Sequence, residues 1–336
     1  MLKQDTDFFA YEDNFKKKEG ISSICVYENR ADDSLVTIGI PTYKRASTLK
    51  ESIDSAITQC CNFNYDIIVV DNNPERNDET EILMKDYASN LHISYYKNTQ
   101  NLGMGGNWNR IAELSKTTWV VFLHDDDLLA PSFLADMIKV ATQYQADVVN
   151  SAFKLWYEKK GNKPELVFKK KAYQIIRSTL EANFFTNRAG MPTGILCKRE
   201  VYIKEGGVKD DYYPSIDWIY SSRLSSKYRF LLYEKELTIY RYSLNAMRKK
   251  ETLEAYLPVN YLFTHYVGNI LRYPRRFVNV FARLLTRFTV AQIGKEKYSL
   301  YGREFKPISL VERYLYLLII YIASIYFNRK NLLGTI

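Results

Sequence analysis

A continuous apolar run that ends in three carboxylates constrains the fold of this chain more than any other segment. Residues 119–123 are five apolar or aromatic residues, and His124 separates them from Asp125, Asp126 and Asp127. A strand buried on both faces of a parallel sheet has this unbroken apolar character. Because ligands of open α/β sheets bind beyond the carboxyl ends of the strands, the three aspartates stand where a binding site is expected.

The acidic triplet by itself permits two interpretations. Three adjacent carboxylates repel one another, and a hard divalent cation with oxygen ligands would relieve that repulsion. Alternatively, the triplet is an acidic turn between a strand and a helix, with one aspartate capping the helix. Other motifs in the chain are needed to distinguish a cation-binding site from an acidic strand-to-helix turn.

Strand and helix patterns alternate at short spacing through the first 150 residues. Strands are predicted over residues 36–40, 66–70, 92–96, 119–123 and 147–151, with helices between them. This alternation predicts an α/β fold with a mostly parallel central sheet flanked by helices. The loops at the carboxyl ends of the strands would then converge into a pocket through their polar residues, which are Thr42, Tyr43, Arg45, Asp71, Asn72, Asn101, Asn107 and the acidic triplet.

The ends of the chain differ in character from this middle part. Residues 1–34 have no clear period and are predicted to be an N-terminal extension. Residues 246–336 are helical, aromatic and basic, and they are predicted to form a C-terminal appendage. Over residues 277–288 an apolar stripe with arginines elsewhere around the axis indicates either a helix on an anionic membrane surface or a helix packed on the core. The apolar residues 314–327 are too few to cross a bilayer, which takes about 20, so a monotopic anchor or a buried helix is expected.

The composition limits which binding partners and which cellular compartment are expected for this protein. The net charge of +9 and the pI near 9.1 indicate an anionic partner, such as a nucleotide, nucleic acid or anionic membrane. Nucleic acid is the less favoured partner, because the arginines cluster with apolar residues and the sequence contains no recognised nucleic-acid-binding motif. The four cysteines show no C-x-x-C spacing, which argues against structural zinc and for a reducing compartment. The polar residues 1–18 do not resemble a signal peptide, so a cytoplasmic location is expected.

Four motifs occur in the order of a known family. They are Val-Thr-Ile-Gly-Ile-Pro-Thr-Tyr-Lys-Arg at 36–45, Ile-Ile-Val-Val-Asp-Asn-Asn at 67–73, Asn-Leu-Gly at 101–103 and Phe-Leu-His-Asp-Asp-Asp at 122–127. Over about residues 35–245 the chain resembles the family two glycosyltransferases with the GT-A fold. The resemblance implies an inverting enzyme that moves a sugar from a nucleotide diphosphate donor to an acceptor hydroxyl, with Mn²⁺ or Mg²⁺ at a D-x-D motif. Residues 35–150 would then bind the donor, and residues 151–245 the acceptor.

The resemblance also implies roles for the donor-binding loops. The Tyr43 ring would stack on the nucleobase, and Asp71 would accept a hydrogen bond from it, which favours uracil and therefore a UDP-sugar. Arg110 could border the donor, but a solvated helix residue is the favoured interpretation. The donor-binding residues implied in this way are Pro41, Thr42, Tyr43, Arg45, Asp71, Asn101 and Asp125.

The acidic triplet fits the family pattern in one register. Pro131 follows Asp127 by four residues, and this spacing aligns His124 with the first aspartate of the family motif. Asp126 is then the implied metal ligand, and Asp125 would contact the ribose or a metal-bound water. Asp127 is also assigned to the metal site, either directly or as a helix cap or supporting group. His124 departs from the family pattern.

An inverting transfer needs a base on the acceptor side. By resemblance this base is Asp217, in Ser-Ile-Asp-Trp-Ile at 215–219, although Ile216 replaces the usual acidic neighbour. The alternative is a first-turn aspartate that satisfies the helix dipole. Trp218 is expected to stack on the acceptor sugar and Arg241 to approach the diphosphate, although the family's following histidine is missing.

The sequence thus predicts an inverting, UDP-sugar-dependent glycosyltransferase of cell-surface polysaccharide or lipid-linked glycan synthesis. It would act in the cytoplasm, peripherally on the inner face of the membrane. The departures at His124 and Ile216 motivate an alternative, a non-catalytic nucleotide-binding or membrane-surface partner protein of the same fold. A sugar nucleotidyltransferase would require a Gly-rich loop after the first strand, and Pro-Thr-Tyr-Lys-Arg is not one.

Overall fold

A mixed sheet of eleven strands forms the centre of the molecule. The computed structural model describes residues 3–158, 161, 163–166, 172–187, 193–242 and 250–336. The strands of the sheet are β1 (Ser23–Tyr27), β2 (Val36–Thr42), β3 (Tyr65–Asp71), β4 (Ile93–Asn98), β5 (Trp119–Phe122), β6 (Leu128–Leu129), β7 (Val148–Trp156), β8 (Gln174–Arg177), β9 (Ile195–Lys198), β10 (Phe230–Arg241) and β13 (Leu332–Thr335). A separate hairpin consists of β11 (Tyr298–Leu300) and β12 (Arg303–Phe305).

Helices cover both faces of the sheet. They are α1 (Ala46–Ile57), α2 (Glu79–Met84), α3 (Met104–Leu114), α4 (Phe133–Gln143), α5 (Leu180–Phe185), α6 (Arg199–Lys204), α7 (Ile216–Lys227), α8 (Lys250–Ile270), α9 (Arg275–Ile293) and α10 (Leu310–Lys330). Alternate residues of β3 enter two different cores: Ile67 belongs to the core that includes residues of α1 and α4, and Ile68 belongs to the core that includes residues of α3 and α7. This alternation follows from the two-residue period of a strand and explains why the four consecutive residues 67–70 of β3 are all apolar.

The strand order is β1-β4-β3-β2-β5-β9-β7-β10-β8-β13, and β6 pairs with β10. The predicted parallel arrangement holds for β4, β3, β2 and β5 and for the pair β7 and β10. The strands β1, β8, β9 and β13 pair antiparallel to their neighbours, so the sheet is mixed rather than mostly parallel. These strands lie outside the regular strand–helix alternation, which is the pattern on which the parallel prediction depended.

The sequence pattern predicts two strands after residue 228, over residues 228–233 and 236–242, but the structure has one long strand there. β10 runs from Phe230 to Arg241, and its register against β7 shifts around Glu236. A hairpin would need a turn sequence between the two halves, and the intervening Glu234 and Lys235 do not provide one. A bulged strand therefore replaces the expected pair and carries the chain directly to the edge where the site lies.

The N-terminal segment is part of the fold and not a separate extension. β1 pairs with β4 at the edge of the sheet, and Phe8 is 2% exposed against Tyr212. Arg110 of α3 donates to the carbonyl of Ile21 at 2.6 Å and pairs with Glu113 at 2.8 Å. Arg110 is buried, so it is not a solvated residue, and it does not line the cavity expected to hold the sugar donor. Its hydrogen bonds instead hold the N-terminal segment against α3.

The C-terminal region is helical, as predicted, and Pro274 directly precedes α9. The apolar stripe of α9 packs inward, since Phe281 is 1% exposed and stacks on Phe184 at 5.0 Å. The core-packed interpretation therefore applies to α9. α10 has 21 residues instead of the expected 14 and, of the helices in the described parts of the chain, it alone has the length and composition of a membrane span.

Candidate active site

A cavity of about 480 Å³ opens at the carboxyl ends of the central strands. It joins residues from the predicted donor loops to residues far along the chain. Its lining consists of Pro41, Thr42, Tyr43, Arg45, Asn72, Asn101, Gly103, Met104, Asn107, Trp108, His124, Asp125, Asp126, Tyr213, Pro214, Asp217, Tyr240 and Tyr256. The structure therefore brings eight predicted site residues into one cavity, and it leaves Asp71, Asp127, Trp218 and Arg241 out of the lining.

Arg45 supplies the positive charge next to two members of the acidic triplet. Its Nη1 donates to Oδ2 of Asp126 at 2.7 Å and to Oδ1 of Asp125 at 3.3 Å. Thr42 Oγ1 donates to the other oxygen of Asp125 at 2.8 Å. Burial and, to a smaller extent, repulsion from the Asp127 carboxylate raise the pKa of Asp126 to about 6. Asp125 and Asp126 are therefore positioned to bind a cation, and in this structure that cation is the guanidinium of Arg45.

Asp127 lies behind the cavity wall and is fully buried. Its carboxylate accepts hydrogen bonds from Thr193 Oγ1 at 2.7 Å and from the backbone N–H of Arg241 at 2.8 Å. Nδ1 of His124 lies 3.3 Å from the same carboxylate. Asp127 thus connects Thr193, β10 and the histidine, which corresponds to the supporting role foreseen for it more closely than to that of a direct ligand.

His124 and Asp126 fit a divalent cation. One donor atom from each of His124, Asp126 and Asp127 lies within 4.8 Å of the others. Nε2 of His124 is buried and has no hydrogen-bond partner among the described residues. A metal-bound histidine typically donates its other N–H to a carboxylate, as Nδ1 can do here to Asp127. Imidazole nitrogen with carboxylate oxygen suits Mn²⁺ and other transition ions as well as a hard ion.

Asp217 also lines the cavity, and it lies in the first turn of α7. Asn187 Nδ2 donates to its Oδ2 at 2.9 Å and fixes the orientation of the carboxylate. Burial raises the pKa of Asp217 to about 6. A carboxylate with this pKa is ionised at neutral pH, yet it accepts a proton more readily than an exposed aspartate does.

The profile of glycosyl transferase family 2 matches residues 37–204, which is half of the chain. The chain belongs to glycosyl transferase family 2. It is therefore a glycosyltransferase enzyme. A Haemophilus influenzae protein described as an uncharacterized glycosyltransferase is 21% identical over 312 residues, covering 89% of this chain and 99% of that protein. The poly(ribitol-phosphate) β-N-acetylglucosaminyltransferase TarP of Staphylococcus aureus is 27% identical over 138 residues, but the match covers only 41% of TarP and 40% of this chain.

Solved structures show the same type of fold. Residues 1–349 of S. aureus TarS, in complex with UDP-GlcNAc, superpose with a TM-score of 0.51 at 15% identity, covering 76% of this chain and 81% of that one. The mannosyltransferase PcManGT of Pyrobaculum calidifontis, in complex with GDP-Man and Mn²⁺, gives a TM-score of 0.53 at 14% identity, with coverages of 80% and 75%. The α/β fold of this family 2 glycosyltransferase is thus of the GT-A type.

Asp71 does not face the cavity of this family 2 enzyme. It is fully buried, and it accepts hydrogen bonds from Lys97 Nζ at 2.7 Å, Tyr95 Oη at 2.9 Å and the N–H of Asn73 at 2.9 Å. The following residue, Asn72, lines the cavity instead. The expected hydrogen bond from the base to Asp71 is therefore not supported, because the Asp71 oxygens already accept hydrogen bonds inside the protein and form an ion pair with Lys97.

Trp218 and Arg241 are also directed away from the cavity. Trp218 is 7% exposed, donates through Nε1 to the carbonyl of Asn183 at 3.0 Å and packs on Phe263. One residue along a helix turns the side chain by about 100°, so Trp218 faces the core when Asp217 faces the cavity. Its predicted stacking on an acceptor is therefore wrong.

The side chain of Arg241 on β10 points away from the cavity because of strand alternation. It pairs with Glu158 at 2.9 Å and with Glu51 at 3.0 Å, and its guanidinium lies over the Trp156 ring. Neighbouring residues of a strand face opposite sides, so Tyr240 reaches the cavity and Arg241 does not. The predicted approach of Arg241 to the diphosphate is not supported.

Several cavity residues were not predicted from the sequence. Tyr240 could have been found from strand alternation once Arg241 was known to point away. Tyr256 comes from α8, in the region expected to be an appendage, and nothing in the local pattern distinguishes it. The Ser215 hydroxyl donates to Asn260 Oδ1 at 2.5 Å and ties α8 to the start of α7. The C-terminal region therefore completes the site.

Proposed function

We propose that this enzyme transfers a sugar from a UDP-sugar to an acceptor hydroxyl with inversion at the anomeric carbon. The observation that carries the proposal is the presence, in one cavity, of an acidic pair for the donor end and a separate carboxylate, Asp217, with a raised pKa. The UDP-GlcNAc complex of TarS supports the choice of donor. The GDP-Man complex of PcManGT makes GDP-sugars the alternative donors to test.

On the donor side, the exposed ring of Tyr43 offers a stacking surface for the base, beside Pro41 and Thr42. Asn101 and Asp125 lie on the same side for contacts to the nucleoside. Asp126 and His124 would hold Mn²⁺ or Mg²⁺, with Asp127 orienting the histidine. When bound, such an ion neutralises negative charge on the departing diphosphate. Arg45 can add a second positive charge near the diphosphate once it leaves the carboxylates.

On the acceptor side, Asp217 takes the proton of the acceptor hydroxyl. The hydroxyl oxygen then forms a bond to the anomeric carbon on the face opposite the diphosphate. The bond between that carbon and the diphosphate oxygen breaks, and the electron pair leaves with the nucleoside diphosphate. Asn187 keeps the carboxylate in position through its hydrogen bond to Oδ2.

Asp217→Asn tests the assignment of the base. We expect transfer from a panel of UDP-sugars to fall by about 10² to 10⁴-fold, the usual contribution of a positioned base, while UDP binding is retained. Asp211→Asn, at a nearby exposed aspartate, is the matched control and should keep full activity. An Asp217→Asn enzyme with normal turnover would exclude Asp217 as the base.

The acceptor is proposed to be a glycan or a lipid-linked glycan precursor of cell-surface polysaccharide synthesis, used at the cytoplasmic face of the membrane. The aromatic side chains of Tyr213, Tyr240 and Tyr256 around Asp217 offer surfaces on which a sugar ring can pack. The non-catalytic alternative that His124 and Ile216 motivated is not supported, because the chain belongs to a family of glycosyltransferase enzymes.

A further inference from the structure

The net positive charge of the protein is concentrated in its last 66 residues. Residues 271–336 contain twelve Lys or Arg and three Asp or Glu, which equals the net charge of +9 for the whole chain. The first 270 residues carry 35 residues of each sign. The glycosyltransferase body is thus neutral overall, and the basic character belongs to the segment that contains α9, the β11–β12 hairpin, α10 and β13.

The same segment exposes a long apolar helix face. On α10 the exposed fraction is 79% for Val311, 52% for Leu318 and 57% for Ile322. Other large apolar or aromatic residues of α10 that are exposed are Leu310, Tyr314, Leu315, Leu317, Tyr321, Ile325 and Tyr326. A contiguous exposed apolar surface of this kind marks an interaction site with a protein or a membrane.

The opposite face of α10 packs on the body through three buried residues. Tyr316, Ala323 and Phe327 are buried, and they lie seven and four residues apart, on one side of the helix. Tyr316 packs against Phe281 of α9, and Phe327 packs against Phe185 of α5. The helix therefore has one protein-facing stripe and one outward-facing apolar surface.

Both ends of α10 are also anchored to the body. At its start, Arg287 of α9 pairs with Glu312, and the N–H of Ile308 donates to the carbonyl of Arg287 at 3.1 Å. At its end, β13 pairs with β8 and so returns the chain to the central sheet. Although α10 is long enough to cross a bilayer, crossing would require these contacts to break. A position flat against a surface keeps all of them.

Basic residues flank the apolar face at both ends. Arg313 is exposed near the start of α10, and Arg329 and Lys330 are exposed at its end. A shallow groove on this face combines the two C-terminal cations with Ile322, Ile325 and Tyr326. Apolar side chains bordered by cations and aromatic rings match the boundary between headgroups and acyl chains of an anionic bilayer. The excess of nine positive charges in residues 271–336 complements the negative surface of such a bilayer.

We propose that the outward face of α10, with its basic flanks, is a docking surface for an anionic phospholipid bilayer on which the helix lies parallel to the membrane plane. This surface would place the enzyme at the membrane where its acceptor is proposed to lie, and only that purpose rests on the proposed function. The surface itself lies outside the catalytic cavity. α8, which carries Tyr256 of the cavity, packs on α9, and α9 packs on α10, so α8 and α9 connect the proposed docking surface to the wall of the cavity.

Flotation of the full chain with lipid vesicles tests the proposal without any donor or acceptor. We expect binding to phosphatidylcholine vesicles that contain phosphatidylglycerol, little binding to phosphatidylcholine alone, and release at high salt because screening weakens the electrostatic part. Leu318→Glu with Ile322→Glu should reduce binding by about tenfold or more, and so should Arg329→Glu with Lys330→Glu. The matched control is Ile82→Glu with Leu91→Glu, at equally exposed apolar positions on the body, and it should bind as the unchanged chain does.

The melting temperature and UDP binding of each variant show that the fold and the cavity are intact. Since vesicle binding is measured without catalysis, its failure would leave the proposed glycosyl transfer untouched, and failure of transfer would leave the docking surface untouched. Equal binding of the α10 variants and the control would overturn the proposal. A dimer in solution that the α10 substitutions convert to a monomer, without any change in vesicle binding, would overturn it in favour of a second copy of the chain. A chain that only detergent releases from vesicles would overturn the flat orientation.

Discussion

Asp217 illustrates how a single residue obtains its chemistry from its surroundings. The first turn of α7 and the hydrogen bond from Asn187 set its position, and burial sets its pKa. The sequence identified Asp217 through a motif, but it could not show that the neighbouring Trp218 turns into the core. Which of two adjacent residues faces a cavity depends on the helix phase, and that phase is fixed by packing with α5 and α8.

The raised pKa of Asp217 predicts the acidic limb of the pH–rate profile. Because the carboxylate is the active form of the base, kcat/KM should fall as the pH decreases through about 6. The profile should be measured with saturating metal, with the chain shown to be folded at each pH. An acidic limb near pH 4 would indicate that a carboxyl group with an ordinary pKa limits the reaction.

The same shift makes a prediction about stability. A carboxyl whose pKa is raised on folding favours the folded state below its unfolded pKa near 3.8, and this contribution is lost as the pH rises through about 6. Asp217→Asn should therefore stabilise the protein at pH 8, by up to about 3 kcal/mol, and change little at pH 4. Thermal unfolding at the two pH values measures this difference. Destabilisation at pH 8 would support the alternative role as a helix-dipole aspartate.

His124 should influence the choice of metal ion. Removing the nitrogen donor by His124→Ala should weaken Mn²⁺ binding by about 10-fold or more, and His124→Asp should shift the preference toward Mg²⁺, which favours oxygen ligands. Titration of Mn²⁺ followed by electron paramagnetic resonance, without donor, gives the affinities. His92→Ala, at an exposed histidine, is the control. Unchanged Mn²⁺ affinity in His124→Ala would remove His124 from the metal site.

At the scale of the elements, the sequence predicted the central half of the sheet best. The strands β2 to β5 and the helices between them carry both a regular period and loop motifs. The antiparallel strands β8, β9 and β13 are short or lie far along the chain, and their pairing depends on contacts that no local pattern encodes. For the same reason, α8 could be predicted as a helix but not as a wall of the cavity.

Tyr256 provides a test of the contribution of α8. Tyr256→Ala should reduce the transfer rate by about 10-fold or more while UDP binding stays within about twofold, because Tyr256 lies on the side of Asp217 and not of the acidic pair. Tyr256→Phe, which retains the ring, should keep most of the activity if stacking is the contribution. A parallel loss of UDP affinity in Tyr256→Ala would show that α8 acts on the donor side instead.

The whole molecule combines a neutral glycosyltransferase body with a basic C-terminal segment. The sequence indicated a basic, aromatic C-terminal region, and it left a membrane-facing and a buried role open both for residues 277–288 and for residues 314–327. The structure shows that α9 packs into the core and that most large apolar residues of α10 are exposed. Two hydrophobic helices next to each other in a sequence do not reveal which one will cover the other.

Thermal unfolding of the full chain with nucleoside diphosphates, in Mn²⁺ or in chelator, tests the central claim most directly. A ligand at 100 times its Kd stabilises by about 2.7 kcal/mol, or roughly a few degrees in a chain of this size. We predict that UDP raises the melting temperature in Mn²⁺, that chelator diminishes the shift, and that Tyr43→Ala and Asp126→Asn each reduce it. A larger shift with GDP would replace the proposed donor class, and no shift with any nucleoside diphosphate would contradict a donor site in this cavity.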